Sequence, residues 1–143
     1  MQKIVISDTN ILIDLLDIGL ADKYSPFPWN VQASDMVLHR LQNKQRESLM
    51  ACIASHRLTL HKMEDEELLT VVRKKNNHKQ GTSISLADWS AWHYAHEGHH
   101  PLLTDDRILR QLAEKDGIEV FGKKEIEERI IICKTKYKQI VNG

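Results

Sequence analysis

The sequence predicts an α/β fold: a three-layer arrangement in which a mainly parallel sheet of roughly five strands carries helices on both faces. Three observations point there. Short β-branched or apolar runs alternate along the chain with segments of helical period. Acidic residues open a central helical segment at Glu64-Asp65-Glu66-Glu67 and basic residues close it at Arg73-Lys74-Lys75, in the sense that suits the helix dipole. The 143 residues show no composition shift, linker, internal repeat or low-complexity tract, so residues 1–143 read as a single domain of ordinary size.

The elements follow in order. Lys3 to Ser7 is a β-branched run that stops at Asp8-Thr9-Asn10, and Ile11, Leu12, Leu15 and Leu16 then recur at helical spacing. Pro26 and Pro28 break the pattern. Trp29 to Ala33 is extended, and Ser34-Asp35 opens a helix through Val37, Leu38 and Leu41. A third strand is expected over Arg57 to His61, followed by the acid-to-base helix. Ser85-Leu86-Ala87-Asp88 starts a helix carrying Trp89, Trp92 and Tyr94, and Pro101 to Thr104 forms a fourth strand before Asp105-Asp106. Gly117 stops the next helix, Ile118 to Phe121 is a fifth strand, and a charged helix begins at Lys123 and leads to the basic stretch Lys134 to Lys138.

Composition excludes several classes. Lys and Arg number 20, as do Asp and Glu, so the chain is not a polycationic nucleic-acid coat, and any affinity for polyanions must come from local patches. Cys52 and Cys133 lie far apart without zinc-binding spacing, as expected of reduced thiols in the cytoplasm. The N-terminus lacks the apolar core of a signal peptide, and no stretch approaches the roughly 20 apolar residues of a membrane span, so no membrane partner is expected.

The chemistry lies in the aspartates. In an open parallel sheet ligands collect outside the carboxyl ends of the strands, where Asp8 and Asp106 both fall, and Asp88 starts a helix that would reach the same edge. A cluster of Asp and Asn oxygens without Cys favours Mg²⁺ or Mn²⁺ over zinc. Each aspartate has a second reading as a helix cap, and Ser85 with Asp88 fits the capping-box spacing with no metal involved. Thr104 suits either a hydrogen bond to a ligand carboxylate or a cap.

Taken together, Ile4-Val5-Ile6-Ser7-Asp8-Thr9-Asn10-Ile11-Leu12, Leu86-Ala87-Asp88 and Leu102-Leu103-Thr104-Asp105-Asp106-Arg107-Ile108-Leu109-Arg110 resemble the motifs of PIN domains, in order and spacing over nearly the whole chain. That resemblance implies a metal-dependent nuclease, with Asp8, Asp88 and Asp106 as catalytic metal ligands and Asn10 near the first. It also implies similarity to small bacterial toxin ribonucleases, hence single-stranded RNA as substrate, an antitoxin as partner and a homodimer. Arg40 departs from the pattern, because the family carries a glutamate there. A guanidinium in that place would weaken metal binding or hold a phosphate. Asp105, where the family often has glycine, is a compensating metal ligand; Glu47 lies too far along the helix.

Hydrolysis of phosphodiesters by metal-activated water is the reaction such a site supports. A PIN-like nucleic-acid-binding module that lost hydrolysis with its glutamate is the alternative. A haloacid-dehalogenase type of phosphatase is disfavoured, because Asn10 stands where its second aspartate belongs. Arg73, Lys74 and Lys75 with His78 and Lys79, and His39 and Arg40 with Lys44 and Arg46, offer a phosphate path or, equally, solvated helix faces. His93, His96, His99 and His100 read as a helix end with adventitious metal affinity, and Trp89 with Trp92 as core.

Overall fold

A computed structural model describes residues 3–20 and 27–130. Its strands β1 (Ile4–Ser7), β2 (Asn30–Ser34), β3 (Leu58–His61), β4 (Leu102–Leu103) and β5 (Val120–Phe121) form one sheet in the order β3-β2-β1-β4-β5. Every pairing is parallel, with Val5 opposite Val31, Ile6 opposite Leu102 and Leu103 opposite Phe121. The helices are α1 (Thr9–Asp17), α2 (Asn43–Ala54), α3 (Asp65–Asn77), α4 (Leu86–Gly98) and α5 (Arg107–Lys115), followed by helical residues 123–130. The expected α/β class, five-stranded sheet and double covering are all present. The basic stretch Lys134 to Lys138 and Cys133 lie outside the described residues.

Alternation along the strands explains the two cores. Val5, Val31, Ala33, Leu103 and Phe121 face α1, α2 and the helix of residues 123–130, whereas Ile6 and Leu102 face α3, α4 and α5. Strands buried on both sides need near-continuous apolar sequence, which β1 and β4 supply. The helix α4 is buried around most of its circumference, with Trp89 at 0% exposure and the small residues Ala87, Ala91 and Ala95 at four-residue spacing. It crosses both β1 and β2. Trp89 and Trp92 are core residues, as their spacing suggests.

One helix differs from expectation. Ser34 does open a helical turn, accepting from the Met36 amide, but Asp35–Arg40 is a 3-10 turn that stops at Leu41 in extended geometry. A reciprocal capping box between Gln42 and Gln45 then starts α2 as a separate helix. Arg46 ties the break together, donating from Nη2 to the Leu38 carbonyl at 2.7 Å and from Nε to the Leu41 carbonyl at 3.3 Å. Arg40 therefore sits at the end of a short, braced turn.

The chain runs outward from β1 through β2 to β3 and then crosses back to β4 on the other side of β1. The switch point lies between β1 and β4, where an open parallel sheet leaves a crevice at its carboxyl edge.

Candidate functional site

At that crevice, Ser7, Asp8 and Thr9 lie at the end of β1 and Thr104 follows β4, all four residues buried. Asp8 is the N-cap of α1: its Oδ1 accepts from the Ile11 amide at 2.9 Å. Its Oδ2 accepts from the Thr104 hydroxyl at 2.6 Å. Thr104 in turn accepts from the Asp106 amide at 3.0 Å, so one hydroxyl couples the two strand ends. Of the two readings of Thr104, the hydrogen bond to a carboxylate is the one present.

Asp88 enters from α4. Ser85 caps that helix by accepting from the Asp88 amide at 3.1 Å, but Asp88 does not return the bond to its own cap. Its Oδ1 accepts instead from the Thr9 amide at 3.1 Å, a contact across 79 positions of sequence. Asp88 and Asp8 are thus joined through a single peptide unit. The approach is set by the loop before α4, where the Lys75 ammonium donates to the Gly81 carbonyl at 2.6 Å and the Ile84 carbonyl at 2.5 Å, and Trp89 Nε1 donates to Gly81 as well. Gly81 packs so closely on the end of α3 that a Cβ would overlap the Lys75 carbonyl.

Asp106 caps α5, with Oδ1 accepting from the amides of Ile108 and Leu109 at 2.9 and 3.0 Å. Both oxygens of Asp105 accept from the Lys123 amide at 3.2 and 3.1 Å, so that it caps the helix of residues 123–130. A Cβ on Gly122 would overlap the Asp105 carboxylate, which is why glycine stands there. Asn10 is exposed on the first turn of α1.

Burial has an electrostatic consequence. Removal from water pushes the Asp8 carboxyl up from its ordinary 3.8 to about 7, and the nearby charges of Asp88 and Asp105 push the same way, against the hydrogen bonds from Thr104 and Ile11. Asp8 is therefore an acid whose ionised form needs a positive neighbour. Arg40 places its charge on Asp88 instead: its Nη1 lies 3.9 Å from Asp88 Oδ2 and donates to the Ser85 hydroxyl at 3.2 Å. The side chain of Arg40 is 43% exposed, and a pair of this kind contributes at most about 1 kcal/mol to folding. The role of Ser85 as a shared partner of Asp88 and Arg40 is not readable from its capping position.

Among the described residues no three His, Cys, Asp or Glu side chains already stand in metal-holding geometry. The donor chemistry nevertheless suits a hard divalent cation: the carboxylates of Asp8, Asp88 and Asp106, and the buried Thr9 hydroxyl, which has no hydrogen-bond partner among the described residues. Asp8 and Asp88 are adjacent, and Asp106 spends one oxygen on its cap and keeps Oδ2.

A sequence profile of the PIN domain matches residues 4–140. The chain belongs to the PIN domain family. Members of this family are generally metal-dependent nucleases. Among curated proteins none matches at the level of sequence. A PilT N-terminus domain protein from the hyperthermophilic archaeon Sulfolobus solfataricus P2 superposes with a TM-score of 0.54 at 12% identity, covering 91% of this chain and 92% of that one, a likeness of fold.

The remaining candidates of this PIN domain take other partners or face solvent. Lys75 is committed to the Gly81 and Ile84 carbonyls, Lys74 lies over the Trp92 ring at 4.9 Å, and Arg73 and Lys44 are exposed. His93 approaches Glu67 at 3.5 Å while His96 approaches Asp116 at 3.4 Å and stacks on Trp92, so the histidines take separate partners. No helix among the described residues is long and apolar enough to cross a membrane.

Proposed function

We propose that this PIN domain is a divalent-metal-dependent endoribonuclease in which Asp8, Asp88 and Asp106 hold Mg²⁺ or Mn²⁺. The observation that carries the reading is the buried Asp8 carboxyl, placed at the switch point and joined to Asp88 through the Thr9 amide. A carboxylic acid raised this far by burial and by acidic neighbours is stabilised as an anion when a cation arrives. When bound, the metal supplies an activated water and neutralises charge on the reacting phosphate.

The residues of the chain do the positioning. Thr104 holds Asp8 Oδ2 in one direction, and the Thr9 amide holds Asp88 Oδ1, so the two carboxylates keep a fixed separation. Asp106 contributes the oxygen left over from its cap. Lys75 orients the loop that delivers Ser85 and Asp88. Exposed Lys44, Arg73 and Lys74 offer charge along which an RNA backbone can lie.

Incubation of the purified protein with a labelled single-stranded RNA and Mn²⁺ or Mg²⁺ tests this reading. Cleavage is expected that stops on chelation and in Asp8→Asn. Salt-sensitive RNA binding with no cleavage under either metal would favour the second reading, a binding module, which the contact of Arg40 with Asp88 supports.

A further inference from the structure

We propose that Arg40 takes the place of a second cation on Asp88, so that the site accepts one divalent ion on its Asp8 side and a phosphate oxygen on its Arg40 side. This rests on the reading of the crevice as a metal-dependent nuclease site and specifies how many ions it uses and what holds the substrate.

Asp88 has two oxygens with two different partners. Oδ1 accepts from the Thr9 amide and so belongs to the Asp8 side of the crevice; Oδ2 faces Arg40 Nη1 at 3.9 Å. A second divalent ion sharing Oδ2 would sit beside the positively charged guanidinium of Arg40. Like charges at that separation oppose each other, and the guanidinium is covalently attached.

Arg40 is also held in place. Ser85 Oγ accepts from both the Asp88 amide and Arg40 Nη1, which locks the arginine to the residue it neutralises. Below it, Arg46 braces the turn through the carbonyls of Leu38 and Leu41. The pairing is not a saturated one. Arg40 makes contact through Nη1 alone, its side chain is 43% exposed, and the N–H groups on Nε and Nη2 make no hydrogen bond within the described residues. A guanidinium edge with free parallel donors, beside a carboxylate pair that would hold metal, suits two non-bridging oxygens of a phosphate.

The test is calorimetric titration of the full chain with Mn²⁺, with inorganic phosphate added afterwards as the anion probe. Metal-free thermal melts check that each variant is folded. One Mn²⁺ per chain is expected for the native protein and for Arg40→Lys, which keeps the charge. Two are expected for Arg40→Glu, which turns the position into a ligand. Phosphate should bind the metal-loaded native protein roughly tenfold more tightly than Arg40→Lys, since the lysine lacks the paired donors. Native protein that binds two ions or none, or Arg40→Glu that still binds one, overturns the proposal. The Asp8→Asn variant separates the layers: if it keeps the native Mn²⁺ affinity, the Asp8-centred reading itself fails, whereas two ions in the native protein that are both lost in Asp8→Asn would leave that reading intact and remove only the role of Arg40.

Discussion

The junction after β1 and the junction after β4 use the same local device. Each strand leads to an aspartate whose side chain caps a nine-residue helix, Asp8 directly after β1 for Thr9–Asp17 and Asp106 three residues after β4 for Arg107–Lys115. Their surroundings divide them. Strand β1 is central, with β2 and β4 on either side and α4 above, and Asp8 is 2% exposed with both oxygens hydrogen bonded. Asp106 is half-buried, spends one oxygen on two amides of its own helix and leaves the other free. An N-cap is a local arrangement, but how much water reaches it is set by the layers around it, and at Asp8 that burial makes the anion costly.

The largest expected effect is at Asp8, in how metal-free stability depends on pH. For Asp8 the folded value, about 7, lies above the ordinary 3.8, so its contribution to stability is complete below pH 3.8 and is lost as pH rises through about 7. The gap corresponds to on the order of 4 kcal/mol. Asp8→Asn imitates the protonated acid. Chemical denaturation should find it no more stable than native protein near pH 3.8 but more stable by up to that amount well above pH 7, and Mn²⁺ should close the gap by stabilising only the native chain. A variant with the same pH profile as native protein would show that burial does not hold the Asp8 carboxyl up.

Catalysis should invert that ranking of variants. Asp8→Asn, the more stable protein without metal, is expected to lose roughly 10²–10³-fold in metal-dependent RNA cleavage, the scale for removing one electrostatic stabiliser of a reacting centre. Single-turnover rates measured at saturating RNA and metal check it. Stability gained where activity is lost identifies a residue kept for function.

Thr104→Val tests whether the two junctions act separately or through the hydroxyl between them. Valine keeps the shape but removes both the bond to Asp8 Oδ2 and the acceptor for the Asp106 amide. Loss of such a supporting partner typically costs about 10- to 100-fold in metal affinity. Calorimetry should show that weakening for Mn²⁺, with Asp8 harder still to ionise. An unchanged affinity would make the link a packing detail.

How far these junctions were legible in sequence depends on whether the information was local. Asp8 and Asp106 after apolar runs, and Ser85 three residues before Asp88, announce helix starts because capping is written within four residues. The layered fold follows from the alternation of strand and helix periods. What escapes is long-range. The bond from the Thr9 amide to Asp88 and the capture of Asp105 by the Lys123 amide join residues that only the tertiary structure brings together. The 3-10 turn at Asp35–Arg40 escapes for a different reason: Val37, Leu38 and Leu41 satisfy a helical period, and only the Gln42–Gln45 box, which lacks the usual Ser, Thr or Asp, reveals the restart.

The smallest expected effect concerns Asp106, where the two readings of an aspartate can be taken apart. If it is only a cap, any good N-cap residue replaces it. Asp106→Ala removes the acceptor for the amides of Ile108 and Leu109 and should cost about 1 kcal/mol. Asp106→Ser restores an oxygen at the same place and should recover all but a few tenths of a kcal/mol of that loss, measured by urea denaturation without metal. A serine hydroxyl busy with two amides carries no charge and has no second oxygen to offer, so Mn²⁺ should bind Asp106→Ser as poorly as Asp106→Ala. Stability restored while metal affinity is not assigns Oδ1 to the helix and Oδ2 to the ion. Recovery of both together would make Asp106 a cap alone, and the metal would then rest on Asp8 and Asp88.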